Sequence, residues 1–120
     1  MTVDQVFIIK KLQNLDEMLV AYSAVTRMPF ATCDEESFND QVWIFTDQDK
    51  MKAFAEKYKE EKKLILPVKV QKKDASMFYM NLFSMGINEV VFCDGDQENK
   101  IELTQIVRMP DVDALPENRK

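Results

Sequence analysis

The chain has 120 residues, 46% of them hydrophobic and 31% charged, with a formal net charge of −5. That balance describes one globular domain able to bury a core without disulfides or metal, and it excludes a disordered segment. The acidic charge argues against broad binding to nucleic acid, which needs clustered lysine and arginine, and favours a basic protein partner. Histidine is absent, which removes the commonest general base and the commonest zinc ligand. Cys33 and Cys93 have neither zinc spacing nor a disulfide framework, so free thiols in a cytoplasmic protein are expected. The apolar residues 6–9 are too few for a signal-peptide core or a membrane span.

From the N-terminus, Ile8, Leu12, Leu15, Leu19 and Tyr22 recur at spacings of four, three, four and three, one stripe of a helix. Asn14 and Glu17 have capping-box spacing, so a helix is predicted from residue 14 at least, running to Val25. Residues 6–9 are then a short strand, a turn, or the start of a longer helix. So narrow a stripe resembles a coiled-coil seam, so self-association through this N-terminal helix stands beside packing on the domain's own sheet. Pro29 ends the pattern. Phe30-Ala-Thr-Cys33 is a strand candidate, and the polar loop 34–40 returns the chain to residues 42–45 as an antiparallel neighbour. Val42-Trp-Ile-Phe45 is an unbroken apolar run, as in a strand covered on both faces. Thr46 and Asp49 have the spacing of a capping box for a helix with Met51, Phe54, Ala55 and Tyr58 on one face.

Residues 64–70 form the next strand, and Pro67 places it at an edge or splits it. Asp74 is the candidate N-cap of a third helix that stops at Gly86. Met77, Phe78, Met80, Leu82, Phe83 and Met85 make it apolar nearly all round, which predicts the most buried of the three helices. Its methionines read as core filling, with an adaptable binding surface as the alternative. Residues 88–93 are a strand, Asp94-Gly95 a turn, and 101–104 a half-exposed strand that Ile106-Val107 extends. The order is α-β-β-α-β-α-β-β. It implies right-handed crossovers and an α/β (α+β) domain with a single mixed, partly parallel sheet of about five strands and about three helices. One domain spans residues 1–120, with a core over about 14–107 and an irregular tail over 108–120.

Several segments together resemble a known family. They are Met28-Pro-Phe30 followed by Cys33-Asp34, then Asp40-Gln-Val-Trp-Ile-Phe-Thr-Asp47 entering a Lys/Glu helix, and later Gly86-Ile-Asn-Glu-Val-Val-Phe92. They look like the N-terminal domain of the SseB family (enhanced serine sensitivity protein). The resemblance implies a small bacterial, cytoplasmic α/β domain with a regulatory or protein-binding role, and it carries no catalytic motif onto these positions. Family members often have a second domain, for which this chain has no room. Many close the late strand with an Asn-Pro-Gly-type turn, where this chain has Cys93-Asp-Gly-Asp96.

Two sets of residues are candidate sites. The first is the acidic loop with Asp34, Glu35, Glu36 and Phe38. Such a loop is ordinarily just solvated, but a phenylalanine among acids either tucks into the core or stands out as an anchor for a partner. The second is Thr46, Asp47, Cys93 and Asp94, at the ends of strands where α/β domains form small-molecule pockets. Cys33 has acids beside it, which hold a thiol protonated, and no histidine to activate it. From Asp94 the chain carries acids at the first, third and fifth positions of a calcium loop. Asn99 and Gln105 stand where that loop needs glycine and a bidentate glutamate, so a hydrated hairpin is the better reading. Trp43 reads as core, and Gly86 and Gly95 alone cannot build a phosphate loop. No metal, cofactor, nucleic acid or membrane is implied. The expected function is non-enzymatic protein interaction or regulation, with a small-molecule-binding domain or enzyme as the alternative.

Overall fold

The computed structural model describes residues 3–108. Val3–Gln13 form α1, Glu17–Ser23 β1, Ala31–Cys33 β2, Asp40–Phe45 β3 and Gln48–Lys59 α2. Ile65–Gln71 form β4, Ala75–Ser84 α3, Glu89–Asp94 β5, Gln97–Glu102 β6 and Leu103–Arg108 α4, and a 3-10 turn, Lys72–Asp74, leads into α3. The strands make one mixed sheet in the order β4-β1-β3-β5-β6, with β2 paired to the first half of β3. β3 and β5 run parallel and the other pairs antiparallel. The domain is therefore of the α/β (α+β) class with a mixed, partly parallel sheet.

Alternation along the strands sends side chains to two cores. On one face α2 packs Met51 and Phe54 against Leu19, Ala21, Phe45, Ile65, Val91 and Cys93. On the other face Ile9 and Leu12 of α1, Phe78 and Leu82 of α3, and Leu103 and Ile106 of α4 cover Val20, Ile44, Val90 and Phe92. β3 is buried on both sides, as its unbroken apolar run predicts. β4 is an edge strand, where Pro67 costs no ladder bond. The chain leaves β3 for that edge over one face and returns to β5 over the other, so the two crossovers share one hand.

The predicted helix over 14–25 is instead β1. Met18, Leu19, Val20 and Ala21 are all buried, alternately on the two faces. A continuous apolar run held between two helical layers satisfies helical spacing and strand burial equally, and tertiary packing decided for the strand. The helix lies earlier, in α1, whose Ile9 and Leu12 belong to the core, so the core begins ahead of residue 14. The stripe Ile8–Tyr22 is split between helix and strand, and the seam that suggested self-association through an N-terminal helix does not form.

α3 buries more residues than α1 or α2, as expected, but it is not buried all round. Phe78, Tyr79 and Leu82 face the sheet, while Met77, Met80 and Phe83 face solvent, because an outer-layer helix has one side against the sheet. Residues 103–108 are α4 and not an extension of a strand. The β5–β6 ladder ends at Glu89↔Glu102, and Leu103 and Ile106, three apart, turn inward on one helical face. The cap of α2 is Asp47 rather than Thr46: the Asp49 amide donates to the Asp47 carboxylate at 2.8 Å. Asp74 makes no side-chain cap bond. Gly86 does end α3, at φ +82°. The amides of Gly86 and Ile87 donate to the Phe83 and Leu82 carbonyls at 3.0 Å each, the paired bonds of a Schellman motif. Of the tail predicted as irregular, Arg108 is helical and residues 109–120 lie outside the described residues. Among the described residues no helix is long and apolar enough to cross a membrane.

Candidate docking surface

The loops after β1 and β2 are the same six-residue device used twice. In the first, the Ser23 hydroxyl accepts from the Thr26 amide at 3.3 Å, and the Arg27 amide donates to the Ser23 carbonyl at 2.8 Å. The Thr26 hydroxyl accepts from the Met28 amide at 3.3 Å, and the Ser23 amide donates to the Met28 carbonyl at 2.9 Å. In the second, Asp34 stands for Ser23, Ser37 for Thr26, Phe38 for Arg27 and Asn39 for Met28, with the same four bonds at 3.0, 2.8, 3.3 and 2.9 Å. A short polar side chain capping the amide three residues on, followed by a left-handed residue, produces the turn in both.

That left-handed position is held by Arg27 in one loop (φ +60°) and by Phe38 in the other (φ +61°). The turn after α2 repeats the choice. Lys62 has φ +61°, and the amides of Lys62 and Lys63 donate to the Lys59 and Tyr58 carbonyls, as at the end of α3, with lysine where α3 has glycine. A left-handed L-residue costs roughly 1–2 kcal/mol, which glycine avoids. These are all the non-glycine residues with positive φ among the described residues, and all stand at the end of the sheet where β3 and β4 begin. Local strain concentrated at one end of a domain is a feature of functional surfaces.

Phe38 is 77% exposed. It does not tuck back, because the hydrogen bonds around it fix the backbone that aims it outward. Asp34 is the brace of this loop. Its carboxylate also accepts from the Ser37 hydroxyl at 2.8 Å and from the Lys100 ammonium of β6 at 2.9 Å. The Lys100 bond first, then those of Ser37, lower its pKa to about 2. Asp34 is thus turned inward, and the outward charge of the loop is Glu35 and Glu36, both exposed. Of the acidic set, three residues (Glu35, Glu36 and Phe38) form a surface and the fourth supports them.

Beside this loop, at the same sheet end, lies an open groove of about 420 Å³ floored by Val25, Met28, Leu64 and Met85 and rimmed by Lys62 and Lys63. The Ala24 amide donates to the Leu64 carbonyl at 2.9 Å, tying the first loop to the turn after α2. Lys63 stands 5.9 Å above the rings of Phe30 and Tyr58. The groove is not legible in the helical pattern that the sequence suggests, which runs through residues 23–25 of its lining loop. The signal was the Ser23-x-x-Thr26 spacing, which Asp34-x-x-Ser37 repeats eleven positions on.

The second predicted set is only half assembled. The Thr46 amide donates to the Cys93 carbonyl at 3.2 Å, and the Thr46 hydroxyl donates to Asp94 at 3.3 Å and accepts from the Gly95 amide at 3.4 Å. Asp47 is occupied as a cap, and Asp94 ion-pairs with Lys11 of α1. Neighbouring strand residues point oppositely, so Cys93 lines a cleft on the α2 face while Asp94 lines a groove on the α1 face. The α2-face cleft holds about 280 Å³, with the Trp43 and Phe54 rings tilted by 36° and their centroids 4.7 Å apart, and Lys50 ion-paired to Asp96. Trp43 is half-buried and packs against the α2-face core, fixed by its indole N–H donating to the Thr32 hydroxyl at 2.8 Å. Burial, with help from Glu98, raises the Cys93 thiol to about 12, and Asp96 keeps Lys50 protonated, so neither is an activated nucleophile. In the segment read as calcium-loop-like, Asp94 and Asp96 close the β5–β6 hairpin, each held by a lysine. Set against family models, curated proteins and solved structures, the chain matches none of them.

Proposed function

We propose that this chain is a non-enzymatic protein-interaction or regulatory domain of the SseB type that docks through the loop carrying Phe38, Glu35 and Glu36. One observation carries the reading. A large aromatic side chain is held out into solvent, in a left-handed conformation, by a backbone braced with hydrogen bonds. Exposure and strain both disfavour phenylalanine there, and pre-organised aromatics are what anchor interfaces. The matching partner offers an apolar pocket with a basic rim, and Glu35 and Glu36 supply steering toward it.

The test places a photo-crosslinking amino acid at position 38 and, as control, at Phe7, which is 68% exposed on α1. A discrete adduct from position 38 but not from position 7 is expected. Binding of the identified, purified partner should weaken at least about tenfold in Phe38→Ala. Equal adducts at both positions, or unchanged affinity, would overturn the reading. The Trp43–Cys93 cleft supports the alternative, a small planar ligand bound between Trp43 and the Lys50 and Lys57 ammonium groups. A ligand-dependent rise in melting temperature abolished by Trp43→Ala would favour it.

A further inference from the structure

The end of the sheet that presents Phe38 also carries a groove of opposite charge. Glu35 and Glu36 form no ion pair among the described residues, and neither do Lys62 and Lys63. Two acids outside any ion pair flank the exposed aromatic ring, and two lysines outside any ion pair, one of them over the Phe30 and Tyr58 rings, rim an apolar floor beside it. Within one copy they do not meet, since Phe38 is solvent-exposed and lines no part of the groove. β3 and β4 start at the same end of the sheet, so loop and groove lie at that one end. A surface with both halves of a contact on one side can close on its own copy about a two-fold axis, each loop meeting the other copy's groove.

We propose that this end of the sheet is a self-complementary dimer interface. Phe38 of each copy seats between Val25, Met28, Leu64 and Met85 of the other, and Glu35 and Glu36 face Lys62 and Lys63. The proposal rests on the reading of Phe38 as the docking residue and names its partner as a second copy of this chain. Both contacts recur by symmetry, so one sequence change alters the interface twice.

Sedimentation equilibrium of the full chain from about 5 to about 500 μM tests it, at low and raised salt. The variants are Phe38→Ala, a Glu35→Lys/Glu36→Lys pair and a Lys62→Glu/Lys63→Glu pair, each checked for fold by circular dichroism. Wild type is expected to dimerise, less so at high salt, and each variant alone to weaken at least about tenfold. The decisive sample is an equimolar mixture of the two charge-reversed proteins. In their heterodimer both contacts are again complementary, so it should form with near wild-type affinity. A mixture no tighter than either component, or a dimer that Phe38→Ala leaves intact, overturns the proposal. If wild type stays monomeric while position 38 crosslinks to a different protein, self-association falls and the docking role stands. If position 38 yields no adduct at all, both fall.

Discussion

Phe38→Gly should leave this domain more stable than Phe38→Ala, the reverse of the usual ranking. At φ +61° alanine keeps the left-handed penalty of roughly 1–2 kcal/mol, while glycine removes it. Both lose the same packing. The ring is 77% exposed, so about a quarter of a full burial worth 1.5–3 kcal/mol is at stake, roughly 0.5 kcal/mol. Glycine adds an unfolded-state entropy cost of roughly 0.5–1 kcal/mol. The balance favours glycine over alanine by about 0.5–1 kcal/mol, or roughly 2–5 °C in Tm for a domain of this size. Urea unfolding followed by the fluorescence of Trp43, the single tryptophan, reads the difference as a shift in midpoint at constant slope. If alanine proves equal or better, the loop relaxes out of the left-handed region, and the argument that Phe38 is held outward against strain fails with it.

Four further outcomes follow from the same structure. Lys62→Gly should stabilise by about 0.5–1 kcal/mol in the same assay, since it gives α2 the helix stop that Gly86 gives α3; a loss of stability would show that the lysine is unstrained. Asp47→Ala should cost about 1 kcal/mol and Thr46→Ala distinctly less, because Asp47 caps α2, and the opposite ranking would restore Thr46 as the cap. At about pH 8 a disulfide reagent should label Cys33, which is exposed, and spare Cys93 until denaturant is added, because a thiol raised to about 12 is protonated there; rapid labelling of two native thiols would contradict the burial. The folded-state pKa of Asp34 lies below its ordinary value of 3.8, so its contribution to the loop is complete above that value and lost as pH falls toward about 2. The Ser37 amide resonance should titrate with that low midpoint, and a midpoint near 3.8 would show that Lys100 and Ser37 do not hold the carboxylate.

The paired loops show why surface function is harder to read than fold. Ser23-x-x-Thr26 and Asp34-x-x-Ser37 are local patterns whose hydrogen bonds close within six residues, so their turns are encoded where they stand. Whether the residue at the left-handed position faces solvent or core is not local. Phe38 carries the same one-letter information in either case; the local bonds set its backbone, and where β2, β3 and Lys100 anchor the loop decides what that backbone faces.

The sequence by itself determined the elements whose burial is uniform or whose backbone demand is local. The run Val42–Phe45 dictated a strand covered on both faces, Pro67 an edge or a split strand, the spacing of Met51, Phe54 and Tyr58 a one-sided helix, and Gly86 a helix stop. Tertiary structure alone decided the rest. Residues 18–21 satisfy helix and strand alike, and only helical layers on both sides of the sheet made them a strand. Thr46, Cys93 and Asp94 are close in space, yet strand alternation parts Cys93 from Asp94 onto opposite faces. Arg27, Phe38 and Lys62 meet at one end of the domain because strand direction, which no local pattern records, brings three separate turns to the same side.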